Sequence, residues 1–299
     1  MFTVASLWIP FTIIASLGQV ARNAMQRSLT GPLGTWGATN IRFLFGFPFS
    51  LVFFAVVIVA TGDRVSWPTM EFWPWLLLGA LSQIFATGLM LAAMNERSFV
   101  VTTAYLKTEA IQTAIFGFVF LGDHLTALRV VAILIATAGV VVTALRPGAA
   151  RELGSVRPTA LGLVAAAGFA LSAVGFRGAI IAVPDVSFVT AASYALAWSL
   201  FVQTAILTVY LLLREPIILR NILGLWRPSM LAGFAGAAAS QFWFLAFALT
   251  AAANVRTLAL VEVLFAQAVA YYSFKQPLSM REVSGVVLIV AGVALLVAA

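Results

Sequence analysis

Ten apolar runs, most of about twenty residues, follow one another along this 299-residue chain with only short polar breaks between them. They cover approximately 4–26, 34–61, 69–93, 98–121, 126–145, 159–182, 187–213, 229–252, 256–274 and 280–298. A run of roughly twenty apolar residues is the length of helix that crosses a bilayer. Composition excludes the alternative of a buried soluble core. Apolar residues make up 63% of the chain and charged residues 9%. A soluble domain carries about 25% charged residues because its surface faces water. A transmembrane barrel would alternate polar and apolar residues over about ten positions, and these runs are continuous. The expected fold class is an all-α integral membrane protein with ten transmembrane helices.

The breaks read as turns and charged loops: "TGPLG", "TGDRVSWP", "NER", "GDHLT", "RPGAARELGSVRP", "VPDV", "REPIILRNILGLWRP", "NVR" and "KQPLSMRE". None is long enough for a soluble domain, and the longest could hold a short interfacial helix. The opening "MFTVASLWIP" lacks a basic n-region and reads as the start of a retained helix rather than a signal peptide. With no cysteine there is no disulfide.

The charge is unevenly placed. On the side reached after odd-numbered runs lie Arg22, Arg27, Arg97, Arg146, Arg151, Arg157, Arg214, Arg220, Arg227, Lys275 and Arg281, with Arg42 toward it, which makes 12. The other side has four: Arg64, Arg129, Arg177 and Arg256. The positive-inside rule puts the first side in the cytoplasm and both termini outside it, in a multi-pass inner-membrane protein. The same rule explains the net charge of +7, so no nucleic-acid partner is expected.

The two halves match weakly but in order. "LSQIFATGLMLAA" (81–93) aligns with "ASQFWFLAFALTA" (239–251), pairing Ser82 with Ser240 and Gln83 with Gln241. Glu109 aligns with Glu262, and one offset then carries Leu125 to Leu278, Thr126 to Ser279 and Gly139 to Gly292. Upstream, Arg22 aligns with Arg177. Residues 1–148 and 149–299 therefore read as two five-helix repeats. Five is odd, so the second repeat enters the membrane from the opposite side, giving an inverted-topology repeat of the kind found in secondary transporters.

Two such repeats, each ending in a helix of the "GVVLIVAGVALL" type, resemble the drug/metabolite transporter superfamily and within it the EamA-type ten-helix branch. The hairpins "FVFLGDHLTALRVVAILIATAGVVV" (118–142) and "YYSFKQPLSMREVSGVVLIVAGVAL" (271–295) carry the likeness. Family members usually have Glu-Pro in the fourth and ninth helices. Here Glu109-Ala110 and Glu262-Val263 stand there, which puts a proline-dependent kink in doubt. The acidic residue after Leu-Gly is present once, as Asp123, with Gln276 in the second half. The resemblance implies a secondary transporter exporting amino acids, including aromatic or other apolar ones, or related metabolites by alternating access. Within that branch Tyr105-Leu106-Lys107 resembles the fourth helix of the YddG-like amino-acid exporters. The alternative is a proton-coupled exporter of cationic drugs.

Charged residues within the runs are the candidate site. On a regular helix Glu109 shares a stripe with Thr102, Tyr105, Gln112 and Thr113, while Lys107 lies about 160° away. Residues two apart do not face one another, so Lys107 and Glu109 each need a separate partner. A charge at mid-bilayer costs roughly 2.5–3.5 kcal/mol, so this helix must be internal. Two criteria for the cavity wall disagree: on the fourth run the Glu109 stripe is the more polar, whereas on the ninth the polar stripe of Arg256, Gln267 and Tyr271 lies opposite Glu262, which favours the Lys107 face, as the resemblance does. Lys107 reads as a cation for a substrate carboxylate, or as a structural partner. Glu109 and Glu262 read as proton-coupling groups, or as structural carboxylates where helices cross. Ser82, Gln83 and Gln241 offer neutral hydrogen bonds to a substrate, or interhelical contacts. Tyr105 and Trp243 could stack on it; Trp73 and Trp75 read as interface-belt residues.

No enzyme is expected, since no catalytic His/Asp or Ser/His grouping is visible. No metal or other cofactor is expected: His124 stands alone. ATP hydrolysis is excluded by the absence of a G-x-x-x-x-G-K-[ST] loop. The expected partners are a small-molecule substrate and the lipid bilayer, and a monomer is compatible with all of these features.

Overall fold

A computed structural model of the chain describes residues 4–96, 105–144, 156–265, 267–268 and 279–299. The described residues are helical with no strand. In chain order the α-helices are α1 (Trp8–Ser28), α2 (Thr30–Leu44), α3 (Gly46–Thr61), α4 (Phe72–Glu96), α5 (Glu109–Phe116), α6 (Ala127–Ala144), α7 (Val156–Ile181), α8 (Phe188–Arg214), α9 (Pro216–Gly224), α10 (Trp226–Leu249), α11 (Ala252–Leu258) and α12 (Met280–Ala298). Among the described residues six helical stretches are long and apolar enough to cross a membrane, and two shorter apolar ones run over Glu109–Leu121 and Ala127–Thr143. The chain is a multi-pass membrane protein. Phe118, Val119, Leu134 and Val287 are more or less half exposed on its outer surface, which is the surface that lipid covers.

Local chemistry sets several boundaries. α12 begins where the last apolar run begins, because Ser279 and Glu282 form a capping box. α2 and α3 meet at Phe45, where Gly233 of α10 packs so closely that a Cβ would stand 2.4 Å from Phe45 Cβ. The long polar break after α8 holds the short helix α9. Its Ile218 packs on Gly37 of α2.

Helix pairing is organised by small residues. α4 packs along α7, where Gly175 lies against the Gly79 backbone and Gly178 under the Trp75 ring. α1 packs along α10 with Gly18 against Ala239. α6 packs along α12, and here the contacts repeat. A Cβ on Gly139 would stand 2.7 Å from Gly285 O and 2.7 Å from Ile289 N. One on Gly292 would stand 2.8 Å from Ala132 O and 2.5 Å from Ala136 N. The offset that carries Gly139 to Gly292 also carries Ala132 to Gly285 and Ala136 to Ile289. Each contact is thus the other with the two halves exchanged. In lipid such close crossings replace the hydrophobic effect as the source of helix association.

The main core lies among α2, α4, α7, α8 and α10, around Phe43, Phe72, Phe176, Phe244 and Phe247. α5 and α11 pack against each other in a second cluster with α6 and α12, around Ala110, Ala114, Ile133, Ala253 and Ile289.

Candidate functional site

The regular helix expected across Lys107 and Glu109 is interrupted. Lys107 and Thr108 form a turn before α5 starts at Glu109. Thr108 N donates to Tyr105 O at 3.1 Å and Ala110 N to Lys107 O at 3.4 Å, which is the i→i+3 pattern of a tighter helix. On the facing strand of chain, α11 ends at Leu258 and Ala259–Val261 form a 3-10 turn just before Glu262. Both helices therefore break immediately before their glutamate, at equivalent places in the two halves. No proline is involved. At Thr108 the side chain contributes: Thr108 Oγ1 donates to Tyr105 O at 2.7 Å and accepts from Gln112 Nε2 at 3.2 Å.

The breaks bring four charges together. Lys107 forms an ion pair with Glu262, and Arg256 Nε lies 2.8 Å from Glu109 Oε1. Each glutamate is neutralised by a cation from the other half of the chain. The Arg256 guanidinium also lies 4.5 Å above the Trp243 ring and 5.3 Å from that of Phe247. A guanidinium over an indole face is an attractive arrangement that strengthens when water is excluded. All four side chains are largely buried. Lys107 and Glu109 thus have separate partners, as their spacing requires.

The other sequence-predicted residues are spread around this cluster. The Tyr105 hydroxyl accepts from Thr159 Oγ1 at 2.9 Å, and its stem packs on Gly162 of α7. Gln83 Oε1 accepts from Gln203 Nε2 of α8 at 2.9 Å. Gln241 Nε2 donates to Ser193 Oγ of α8 at 2.9 Å. Both glutamines make the interhelical contact that was one of their two readings. Ser82 turns its backbone carbonyl toward Gly168. Trp73 makes an edge contact with Trp198 at 5.2 Å, while Trp75 lies under Gly178. Thr102, Tyr271 and Gln276 lie outside the described residues.

Sequence reasoning missed Arg22 and Arg42. It counted them with the loop charges, yet they are 2% and 3% exposed within α1 and α2. Arg42 could have been found, because it sits inside an apolar run between Ile41 and Phe43. Arg22 interacts electrostatically with Arg256, Glu109 and Glu262, so it belongs to the same central group. Arg177, with which Arg22 aligns in sequence, does something different: Nη1 donates to the carbonyls of Phe247 and Thr250 at the end of α10, with Asp123 Oδ1 3.7 Å from Nε. Among the described residues no three His, Asp or Glu side chains gather where a metal could bind.

No curated protein matches the chain in sequence. A solved structure, described only as a crystal structure of a protein, superimposes with a TM-score of 0.67 at 16% identity, covering 96% of this chain and 95% of that one. At that identity the likeness is one of fold. Residues 6–145 match the model of the EamA-like transporter family. An EamA-like transporter domain over these residues, just under half of the chain, places the protein in the drug/metabolite transporter superfamily.

Proposed function

We propose that this protein is a secondary transporter that exports amino acids or related small metabolites by alternating access between two inverted five-helix repeats, residues 1–148 and 149–299. One observation carries the reading: two helices, one from each half, break at equivalent points beside Glu109 and Glu262 and exchange ion pairs there. Discontinuous helices at mid-membrane are where secondary transporters hold their substrates. The exchanged contacts of Gly139 and Gly292 support the pseudo-two-fold relation of the repeats. Lys107, held by Glu262 here, is positioned to release that carboxylate for one on the substrate, with Tyr105 and Trp243 beside the route and Ser82, Gln83 and Gln241 on its flanks.

The inner-membrane orientation follows from the bias in the basic residues along the sequence. Setting aside the buried Arg22, Arg42, Arg177 and Arg256, the count of 12 against four becomes 10 against two, and the bias strengthens. Both termini then face away from the cytoplasm. A cationic-drug exporter would need a carboxylate open to its cargo, whereas Glu109 and Glu262 are both engaged by cations. That favours the metabolite reading.

The test is reconstitution into liposomes with labelled amino acids, with and without a pH gradient. Saturable flux that is lost in Lys107→Ala is the expected result. Movement of a lipophilic cation with no flux of any amino acid would overturn the reading.

A further inference from the structure

Two arginines are left over once the ion pairs are made. Lys107 takes Glu262 and Arg256 takes Glu109. Arg22 and Arg42 have no carboxylate partner among the described residues, and both are almost wholly buried. The central group therefore holds four cations against two carboxylates.

The two unpaired arginines converge. A Cβ on Gly236 of α10 would stand 3.3 Å from Arg22 Cδ and 3.3 Å from Arg42 Cγ, so both stems meet over one glycine. Arg22 donates from Nε and Nη2 to Asn23 Oδ1 at 3.3 and 2.8 Å. Arg42 donates from Nη1 to Thr87 Oγ1 at 3.3 Å and lies 5.2 Å from the Phe43 ring. Arg22 Nη1 and Arg42 Nε are buried with no hydrogen-bond partner among the described residues. An amide oxygen, a hydroxyl and a ring face give hydrogen bonds or polarisation but remove no charge. Arg42 lies in the field of Arg22 and Arg256, and Arg22 in that of Arg256 as well as of Glu262 and Glu109, which already pair with other cations; like charges in a low-dielectric interior repel strongly.

We infer that Arg22 and Arg42 form an anion-binding site, and that its ligand is a small organic anion bearing a phosphate or two carboxylates. A guanidinium presents its donors in a planar fork that matches these groups. Two forks with free N–H groups satisfy several oxygens at once. Two surplus positive charges are cancelled by a doubly negative ligand and not by a neutral zwitterion. Gly236 lets both stems pack directly on α10, where a Cβ would crowd them at 3.3 Å. That the ligand is also the cargo rests on the transport reading; the site itself does not.

The test starts with thermal unfolding of the purified, detergent-solubilised protein at constant ionic strength. The probes are succinate, glutamate and glycerol 3-phosphate, against leucine and lysine. The acids should raise the melting temperature saturably and in proportion to their negative charge, while leucine and lysine should not. Arg42→Gln should weaken that binding by roughly thirtyfold or more, and Arg22→Gln likewise. Arg42→Lys keeps the charge, loses the fork, and should fall between; it also serves if a glutamine variant fails to fold. Equal stabilisation by leucine, an acid response unchanged in both glutamine variants, or no acid response in the unmodified protein would overturn the proposal. Flux separates the two readings. Acid stabilisation without transport of any solute removes the transporter and keeps the site. Transport of leucine with no acid stabilisation does the reverse.

Discussion

Arg256 and Glu109 meet at 2.8 Å across the two halves of the chain, with the arginine laid over Trp243. The pair is buried, so its two members depend on each other. Removing one partner of such a pair leaves an uncompensated charge and costs about 3–5 kcal/mol, whereas replacing both by apolar groups of similar volume is often neutral. Glu109→Gln should therefore lower the melting temperature in detergent markedly, and the double variant Arg256→Met/Glu109→Leu should recover most of it. Equal losses in the single and double variants would mean the pair is not the stabilising unit.

The helix crossing of α6 with α12 makes a sharper demand. At Gly139 and Gly292 a methyl group would meet backbone atoms at 2.5–2.8 Å, and backbone cannot swing aside as a flexible side chain can. Gly139→Ala and Gly292→Ala should each destabilise by about 1–3 kcal/mol, in the range of overpacked cores. Gly31→Ala and Gly224→Ala are the controls, since nothing lies within 4 Å of a Cβ there. Thermal unfolding of all four separates a packing effect from a general cost of losing glycine.

Much of this fold is legible in the sequence because lipid leaves so little choice. Continuous apolar runs must be helices, and the last one is bounded at 280 by a capping box that any reader can see in "SMRE". The breaks at Thr108 and at Ala259–Val261 are not legible, because the usual breaker, proline, is absent and the tightening comes from backbone bonds. Nor are the partners of Lys107 and Glu109. A helical wheel gives a residue's direction around its own axis but not which helix stands there. Arg22 escaped for a different reason: next to Asn23 and near Arg27, it reads as the edge of a loop, and only the packing of α10 against α1 shows it to be interior.

Outside the membrane core, Asp63 links two loops. Its carboxylate accepts from Ser187 N at 3.0 Å and Ser187 Oγ at 2.7 Å, at the start of α8. Hydrogen bonds from Thr190 and Ser187 hold its pKa below the ordinary aspartate value. A carboxylate with a depressed folded-state pKa stabilises above the unfolded-state value, and that stabilisation is lost as the pH falls through the folded-state value. Asp63→Asn should thus be less stable than the parent at neutral pH, and the difference should shrink once the pH drops below the usual aspartate range. A difference that stays constant with pH would assign the effect to shape rather than charge.

Arg177 and Arg22 align in sequence between the two halves, yet among the described residues Arg177 has a carboxylate and two carbonyls around it while Arg22 bonds to Asn23. The carbonyls of Phe247 and Thr250 end α10 and would be left without this donor if the arginine were removed, while Asp123 sits farther off at 3.7 Å. The two partners should therefore respond unequally. Arg177→Gln strands a carboxylate as well as helix-terminal carbonyls, and a buried acceptor left unpaired costs about 1–3 kcal/mol. Asp123→Asn leaves the arginine its two carbonyls and should cost less. The double variant should be no worse than Arg177→Gln alone, because the carboxylate no longer lacks its cation. Melting temperatures of the three proteins decide it, and a larger loss from Asp123→Asn than from Arg177→Gln would place the stabilising contact at the ion pair instead of the helix end.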